Sequence, residues 1–302
     1  MTARIRSQVV AIGAVLAGLI LVGCADPQAL DRTATPEDSL ARVQGAAAKV
    51  TEARSARLSM TVKNTFAGER VAASIGTTQG VYDYAAHKGR MDTTIKTPGI
   101  PFPLTMRTLV IGSTVYIKMP QAPSERETPA GVPPAPEERH KPWAKLELPK
   151  GLAGKDSLGP GVGPIPGDTG GDPTRALSYL KSVTSKVERV GAEQVRGTPT
   201  TRYAVVFDAA KAASQGPAEL RSLVEEEGLA FPKPADVWID QQGRLRKTHY
   251  AMTLKMPKEE GAPATTMTIE TTLELYDFGV TVNVTPPPAN QVEVIKPERP
   301  TP

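Results

Sequence analysis

Two long parts of this chain alternate apolar and polar residues with a period of two. In the first part, residues 57–63 read RLSMTVK, and the alternation recurs at 91–96 and 114–119. In the second part it recurs at 198–208 and 245–276. Such alternation is typical of β-strands with one face on a core and the other in water. The first part is expected to form a meander of about five strands.

Three segments favour helices. Residues 36–56 begin with proline and two acidic residues, which suit the first turn of a helix. Asp172 and Pro173 fit an N-cap and the turn after it. Residues 209–227 are rich in Ala, Leu and Glu, although Gly216-Pro217 interrupts them. The order of helices and strands predicts the α+β class: a curved antiparallel half-barrel of about ten strands, with helices on its concave face.

Glycines and short polar stretches separate the expected strands. Gly76, Gly89 and Gly112-Ser113 are expected to mark turns, and residues 241–243 a hairpin turn. Further strands are expected at residues 143–148, 187–195, 198–208, 235–240, 245–256, 265–276 and 280–284.

Composition divides the chain into segments. Two stretches rich in proline or glycine, 120–142 and 149–172, are expected to be long loops, either disordered or lids over a site. The predicted organisation is a signal peptide at 1–23, a tether at 24–36, a single domain at 37–285 and a Pro-rich tail at 286–302.

The N-terminal segment has the three parts of an export signal. Arg4 and Arg6 give a positive start, residues 9–22 are apolar, and Gly23 is a small residue at the expected cleavage position. Cys24 directly after such a site is typical of a bacterial lipobox, in which the thiol receives a diacylglycerol and the chain is cut before the cysteine. The alternative is an uncleaved anchor, but the apolar stretch is shorter than the ~20 residues that a spanning helix needs.

Cys24 is the only cysteine, so the sequence excludes internal disulfides and cysteine-based metal sites. Cleavage before Cys24 would remove two arginines and no acid, which lowers the net charge from +4 to +2. Basic residues are scattered and aromatic residues are only 5%, so we expect no nucleic-acid partner. The expected location is the extracytoplasmic side of the cell membrane, where acyl chains on Cys24 would anchor a monomer.

Motifs that carry catalysis are missing from the sequence. His87, His140 and His249 have no partner at metal-ligand spacing, and no nucleophile elbow or phosphate loop is present. The acidic run 225–227 is typical of a solvated helix face. We therefore predict that the protein is not an enzyme and has no metal or cofactor.

Seven methionines follow Met1, and all of them fall in expected strands. Methionine is unbranched and adaptable, so these residues either fill an ordinary core or form a plastic wall for acyl chains. On two neighbouring strands the apolar faces are continuous, with Thr271 between apolar residues on the second. The predicted lining of an apolar cavity is Met60, Met91, Met106, Val205, Phe207, Met252, Leu254, Met267 and Leu273.

Short patches of the sequence resemble a known family. They lie at 55–62, 114–117, 143, 172–173, 190–191, 195–198, 201–203 and 237–240. Together with Cys24, these patches make residues 37–285 similar to the actinobacterial LolA-like lipoproteins of the LppX/LprG family. The resemblance implies a half-barrel of antiparallel strands around helices, an apolar cavity, and a role in carrying lipids or lipoglycans toward the envelope. Among the family's functional positions, it carries over only the modified Cys24.

Three functions remain open from the sequence. The first is a membrane-anchored carrier that binds lipid or glycolipid acyl chains in an apolar cavity and moves them across the envelope. The second is a surface interaction or sensory lipoprotein whose sheet packs without a cavity. The third is an envelope hydrolase with a site assembled from distant residues.

Overall fold

A computed structural model describes residues 35–67, 74–118, 141–147, 184–208, 210, 214, 224–225, 228–231, 233–255 and 266–295. Cys24, the loop 149–172, nearly all of the loop 120–142 and the helix expected after Asp172 lie outside these residues.

The helix α1 spans Pro36–Glu52 and starts at a complete capping box. The Thr35 side chain accepts a hydrogen bond from the Asp38 backbone N–H, and the Asp38 carboxylate accepts one from the Thr35 backbone N–H. The Asp38 carboxylate accepts from both the backbone N–H and the hydroxyl of Thr35, and these two bonds lower the pKa of Asp38. Proline and two acidic residues in the first turn therefore start the helix as expected, while its end at Glu52 comes four residues before the predicted one. Within the described residues, no helix has the length and apolar character needed to cross a membrane.

In the described residues, twelve strands form one open, curved sheet. The strands are β1 (Ser55–Ala67), β2 (Ser74–Asp83), β3 (Lys88–Lys96), β4 (Leu104–Ile111), β5 (Thr114–Lys118), β6 (Trp143–Glu147), β7 (Thr184–Val195), β8 (Thr198–Phe207), β9 (Ala235–Asp240), β10 (Leu245–Lys255), β11 (Thr266–Tyr276) and β12 (Val292–Ile295). Their order is β12-β6-β5-β4-β3-β2-β1-β11-β10-β9-β8-β7. A twisted sheet this wide has to curl.

Strand β1 joins the two halves of the sheet. It pairs antiparallel with its sequence neighbour β2 and with β11, which lies more than two hundred residues away in the chain. The five-strand meander expected in the first part is confirmed as β1–β5. Because β1 reaches across to β11, both parts that alternate with a period of two belong to a single sheet.

The helix count and the strand count differ from the prediction. Among the described residues there are twelve strands instead of about ten, and α1 is the one α-helix whose start and end both lie there. In the third expected helix, 209–227, the described helical residues are Ala210, Ser214, Val224 and Glu225. The α+β class and the large antiparallel sheet are as predicted, apart from one parallel pair.

That parallel pair corrects the prediction for the C-terminal part. Residues 280–284, expected as a strand, have no regular structure, and their start is held by the Ser55 hydroxyl, which donates to the Val280 carbonyl at 2.6 Å. The chain instead forms β12, which lies within the segment expected as a tail and pairs parallel with β6. An edge of the sheet supplies backbone partners for any extended segment that reaches it, and local composition does not reveal this.

Two predicted turns are wrong. Gly76 lies inside β2 and Gly89 inside β3, whereas Gly112 and Gly243 occupy turns with positive φ, as expected. Gly89 is needed for close approach, because a Cβ at this position would overlap the ring of Tyr82 on the neighbouring strand. A glycine within a strand often marks such an approach.

Candidate functional site

The candidate site is the inner face of the sheet, defined here as the face on which α1 packs. Residues directly opposite each other in paired strands point to the same side, so the pairing register shows which residues share this face. On β1 these are the even-numbered residues from Leu58 to Phe66. Through the register they continue as the odd-numbered residues of β11 and the even-numbered residues of β10.

Helix α1 covers one end of the inner face. Its buried residues Val43, Ala46 and Val50 share a core with Leu58 of β1 and Leu275 of β11. Its contacts are mainly with β7, and also with β1, β9 and β10. The Arg42 guanidinium fixes this end by donating to the Asp240 carbonyl at 3.1 Å. The row of residues under the helix is consequently almost without solvent exposure.

On β1 and on the strands that continue from it through β2, exposure rises along the inner face with distance from this end. Leu58 is 2% exposed, and Met60 and Val62, the next inner residues of β1, are half-buried. Val62 is paired through Gly76 of β2 with Ile95 of β3, which is also half-buried. Ile95 in turn lies opposite Leu104 of β4, which is 40% exposed. Apolar surface therefore continues past the region that α1 covers and opens toward solvent on β3 and β4.

A second apolar cluster lies on the inner face of β10 and β11. Met252 and Leu254 pack there with Ile269 and with Leu229, which precedes a bridge between Ala230 and Thr253. Half-buried residues surround this cluster: Val62, Phe207, Val224, Phe231, Tyr250 and Met267. The Phe207 and Phe231 rings stack at a tilt with centroids 4.9 Å apart. Phe207 and Tyr250 contact both clusters, so the two apolar regions are continuous.

The predicted lining residues lie on this face. Met60, Met91, Val205, Phe207 and Leu273 belong to the cluster with α1 or pack against it. Met252, Leu254, Met267 and again Phe207 belong to the second cluster or pack against it. Met106 stands on the same cross-strand row as Met60, through Thr78 and Thr93. Met91, Val205, Met252, Leu254 and Leu273 are buried, whereas Met60, Met106, Phe207 and Met267 are half-buried.

Polar side chains interrupt the apolar surface in the middle of the sheet. The hydroxyls of Thr78 and Thr93 bond to each other at 2.9 Å, and the Asn64 amide donates to the Ser74 hydroxyl at 3.3 Å. The residues that the sequence analysis missed are Val62, Asn64, Ile95, Leu104 and Thr248. The available signal was their parity: each falls on the same side of a strand as a predicted lining residue.

The outer face is polar, and several of its charges are paired. Burial raises the pKa of Asp92, but hydrogen bonds from Arg107 and Arg90 outweigh this and lower it overall. The Trp238 indole N–H donates to Glu193 at 2.7 Å and lowers the pKa of that carboxyl, with Arg202 helping. These pairs make a hydrated face opposite the apolar one.

Asp240 is a buried carboxylate with a structural role. Only 1% exposed, it accepts the backbone N–H groups of Gln242 and Arg244 and the side chains of Arg244 and Arg246. These bonds hold the β9–β10 hairpin turn and leave the carboxylate engaged.

Histidines and acidic groups form no metal site among the described residues. His249, on the outer face, contacts the Thr272 hydroxyl at 2.9 Å and Glu270 at 3.5 Å. His87 occupies the turn after β2 with φ of 48°. The third histidine, His140, lies outside the described residues.

Solved structures provide the comparison with known proteins. The Mycobacterium tuberculosis lipoprotein LppX covers 83% of this chain and is covered in full, with 12% identity and a TM-score of 0.43. LprF from Mycobacterium bovis covers 84%, and 98% of it is covered, with 14% identity and a TM-score of 0.39. A putative outer membrane lipoprotein-sorting protein domain from Vibrio parahaemolyticus covers 80%, and 92% of it is covered, with 10% identity and a TM-score of 0.26.

The chain is similar to LppX and LprF, as the sequence patches predicted. No protein-family model matches this chain, and no curated protein matches it. Identity and TM-score are low in these three alignments, so what the protein binds has to be inferred from its own geometry.

Proposed function

We propose that this protein is a membrane-anchored lipoprotein that binds the acyl chains of a lipid or glycolipid against the inner face of its sheet. It would carry the lipid across the cell envelope without chemical change. Cys24 would supply the anchor on the extracytoplasmic side, and the domain would act as a monomer. In this proposal residues 1–23 are removed, 24–36 form the tether and 37–285 hold the lipid-binding part.

The observation that supports this proposal most directly is the opening of an apolar face toward solvent. Met60, Val62, Ile95 and Met106 are half-buried on one face, with Thr78 and Thr93 between Met60 and Met106, and Leu104 at the margin is 40% exposed. Apolar residues grouped on one open face are typical of a surface that binds a ligand or a partner. Methionines on this face suit chains that have no fixed shape.

Acyl chains match this surface because the gain comes from removing apolar area from water. Each Å² covered contributes roughly 25 cal/mol, and no charged group is needed. The charges described on the two faces agree with this division. Arg90, Asp92 and Arg107 pair on the outer side, so the inner wall stays free of them.

Native mass spectrometry of the purified full-length chain tests the proposal. The expected result is a mass that includes co-purified lipid, or uptake of oleate when oleate is added in molar excess. A clean mass of the protein alone, with no uptake of oleate, would contradict lipid binding and favour a surface interaction lipoprotein instead.

A matched pair of variants tests whether lipid binds on the inner face. Met106→Glu puts a carboxylate on the half-buried inner side of β4, and Thr105→Glu puts the same group on its exposed outer side. Because burying an unpaired charge against an acyl chain is costly, Met106→Glu should weaken oleate binding at least about tenfold. Thr105→Glu should bind like the unaltered protein in fluorescence displacement. Equal affinity of the two variants for oleate would rule out the inner face as the binding site.

A further inference from the structure

Three buried oxygen atoms on the inner face have no hydrogen-bond partner in the described structure: Thr248 Oγ1, Thr271 Oγ1 and Asn64 Oδ1. Thr248 and Thr271 are 7% and 2% exposed. Buried polar atoms are normally paired, so each unpaired one needs a physical explanation. Three on a single face of a sheet point to a common cause.

The pairing register places the three atoms on one diagonal line. Thr271 of β11 stands opposite Tyr250, two residues from Thr248 on β10. On its other side Thr271 stands opposite Val62, two residues from Asn64 on β1. Diagonal neighbours of this kind have Cα atoms about 7–8 Å apart. The line Thr248–Thr271–Asn64, here called the polar stripe, therefore crosses three adjacent strands in the middle of the apolar face.

The polar stripe lies between the two apolar clusters. Leu273, next to Thr271 on the inner side of β11, belongs to the cluster with α1, and Ile269 on the other side belongs to the second cluster. A chain bound along the inner face from one cluster to the other must pass this stripe. Its hydrocarbon would lie on the clusters, and a polar group at the right position along it would meet the unpaired oxygens.

The atoms of the stripe select for a hydroxyl. Each threonine hydroxyl can donate or accept, while Asn64 Oδ1 can only accept, because an amide oxygen carries no hydrogen. A hydroxyl donates and accepts, so it can satisfy any member of the stripe. A plain methylene chain would leave all three oxygens unpaired.

Two half-buried side chains lie beside the stripe on the inner face. Met60 and Tyr250 stand next to the threonines in the pairing register, and both are half-buried. Methionine changes its rotamer at little cost, so a ligand can move it aside and lie over the stripe. Pairing of the buried hydroxyls then adds to the free energy of binding.

We infer that the lipid bound by this protein carries a hydroxyl group within its acyl chain, and that this hydroxyl hydrogen-bonds Thr271 at the centre of the polar stripe, with Thr248 or Asn64 as its second partner. The inference rests on the proposed lipid binding and names the class of lipid. It distinguishes a hydroxylated acyl chain from a saturated or unsaturated hydrocarbon chain of the same length.

The test compares ricinoleate with oleate, because the two fatty acids differ by one mid-chain hydroxyl. Displacement of a fluorescent fatty acid from the full-length chain should show ricinoleate binding about three- to tenfold more tightly, as one net hydrogen bond provides. In Thr271→Val the preference should disappear, while oleate binds as well as before or better. Thr61→Val, on the exposed outer face opposite Thr272, should keep the preference.

The outcomes separate the two proposals. Equal binding of the two lipids by the unaltered protein, or a preference retained in Thr271→Val, would overturn the hydroxyl inference and leave lipid binding intact. Absence of binding to either lipid would overturn both. Valine has the shape of threonine, so the melting temperature of Thr271→Val should stay the same or rise when its unpaired hydroxyl is removed.

Discussion

Truncating two methionines of the inner face to alanine should separate its buried part from its open part. Met252 on β10 is 0% exposed and packs with Leu229, Leu254 and Ile269. Met106 on β4 is half-buried on the same face. The substitution is the same at both sites, so the difference in stability measures only the surroundings.

The size of the effect follows from burial. Alanine lacks the Cγ, Sδ and Cε of methionine, and at about 0.8 kcal/mol for each methylene-sized group, transfer alone amounts to roughly 2.4 kcal/mol in a closed site. The cavity left around Met252 should raise the loss to about 3–4 kcal/mol. At Met106, where about half of this contact exists and no closed cavity forms, the loss should be about 1 kcal/mol.

Equilibrium unfolding in urea, followed by far-UV circular dichroism on the full-length chain, measures both values. With an m-value of about 3 kcal/mol per M, Met252→Ala should lower the midpoint by about 1 M and Met106→Ala by about a third of that. Equal shifts, or a larger one for Met106→Ala, would refute the view that the inner face is closed at β10 and open at β4. A change in m-value between the variants would mean that midpoints cannot be compared, and free energies would then be compared instead.

Two further predictions concern backbone packing and the outer face. Gly89→Ala should destabilise the protein by about 1–3 kcal/mol in the same assay, because the added methyl group overlaps the Tyr82 ring. Gly45→Ala, in open space on α1, should stabilise it by up to about 1 kcal/mol. A gain in stability for Gly89→Ala would contradict the close approach. The hydrogen bond from Trp238 lowers the pKa of Glu193 in the folded state, so its stabilisation is present above the usual value of 4.5 and is lost as the pH falls through the folded pKa. Thermal melts from pH 3 to 7 should show an acid loss that Glu193→Gln removes in part, with an effect below about 1 kcal/mol because the carboxylate is 42% exposed; identical profiles would argue against this contribution.

Local signals in the sequence placed most elements correctly. The proline and acidic residues at positions 36–38 mark the start of α1, and alternation with a period of two marks β1, β10 and β11. Gly112 and Gly243 mark turns because their positive φ is strained for other residues. The same reasoning failed at Gly89, where close packing of Tyr82 on the neighbouring strand demands glycine, and at Gly76, which lies inside β2 with room for a Cβ.

Pairing over long distances could not be read from these signals. The register of β1 with β11, the parallel pair of β6 with β12, and the absence of a strand at 280–284 depend on which backbone edge each segment meets. For the candidate site, alternation identified the residues that share a face, including Met60 and Met106. It could not identify which of them α1 buries. It also could not show that the side-chain hydroxyls of Thr271 and Thr248 have no hydrogen-bond partner.

From its order of residues alone, the chain determines two series of half-buried strands, a capped first helix and an apolar side on each strand, because these properties depend on neighbours a few positions apart. Only the tertiary structure decides that both series join in one sheet at β1 and that three unpaired oxygens align across it. Such relations depend on residues that are far apart in the sequence and are buried together on one face, so a short stretch of sequence does not show them.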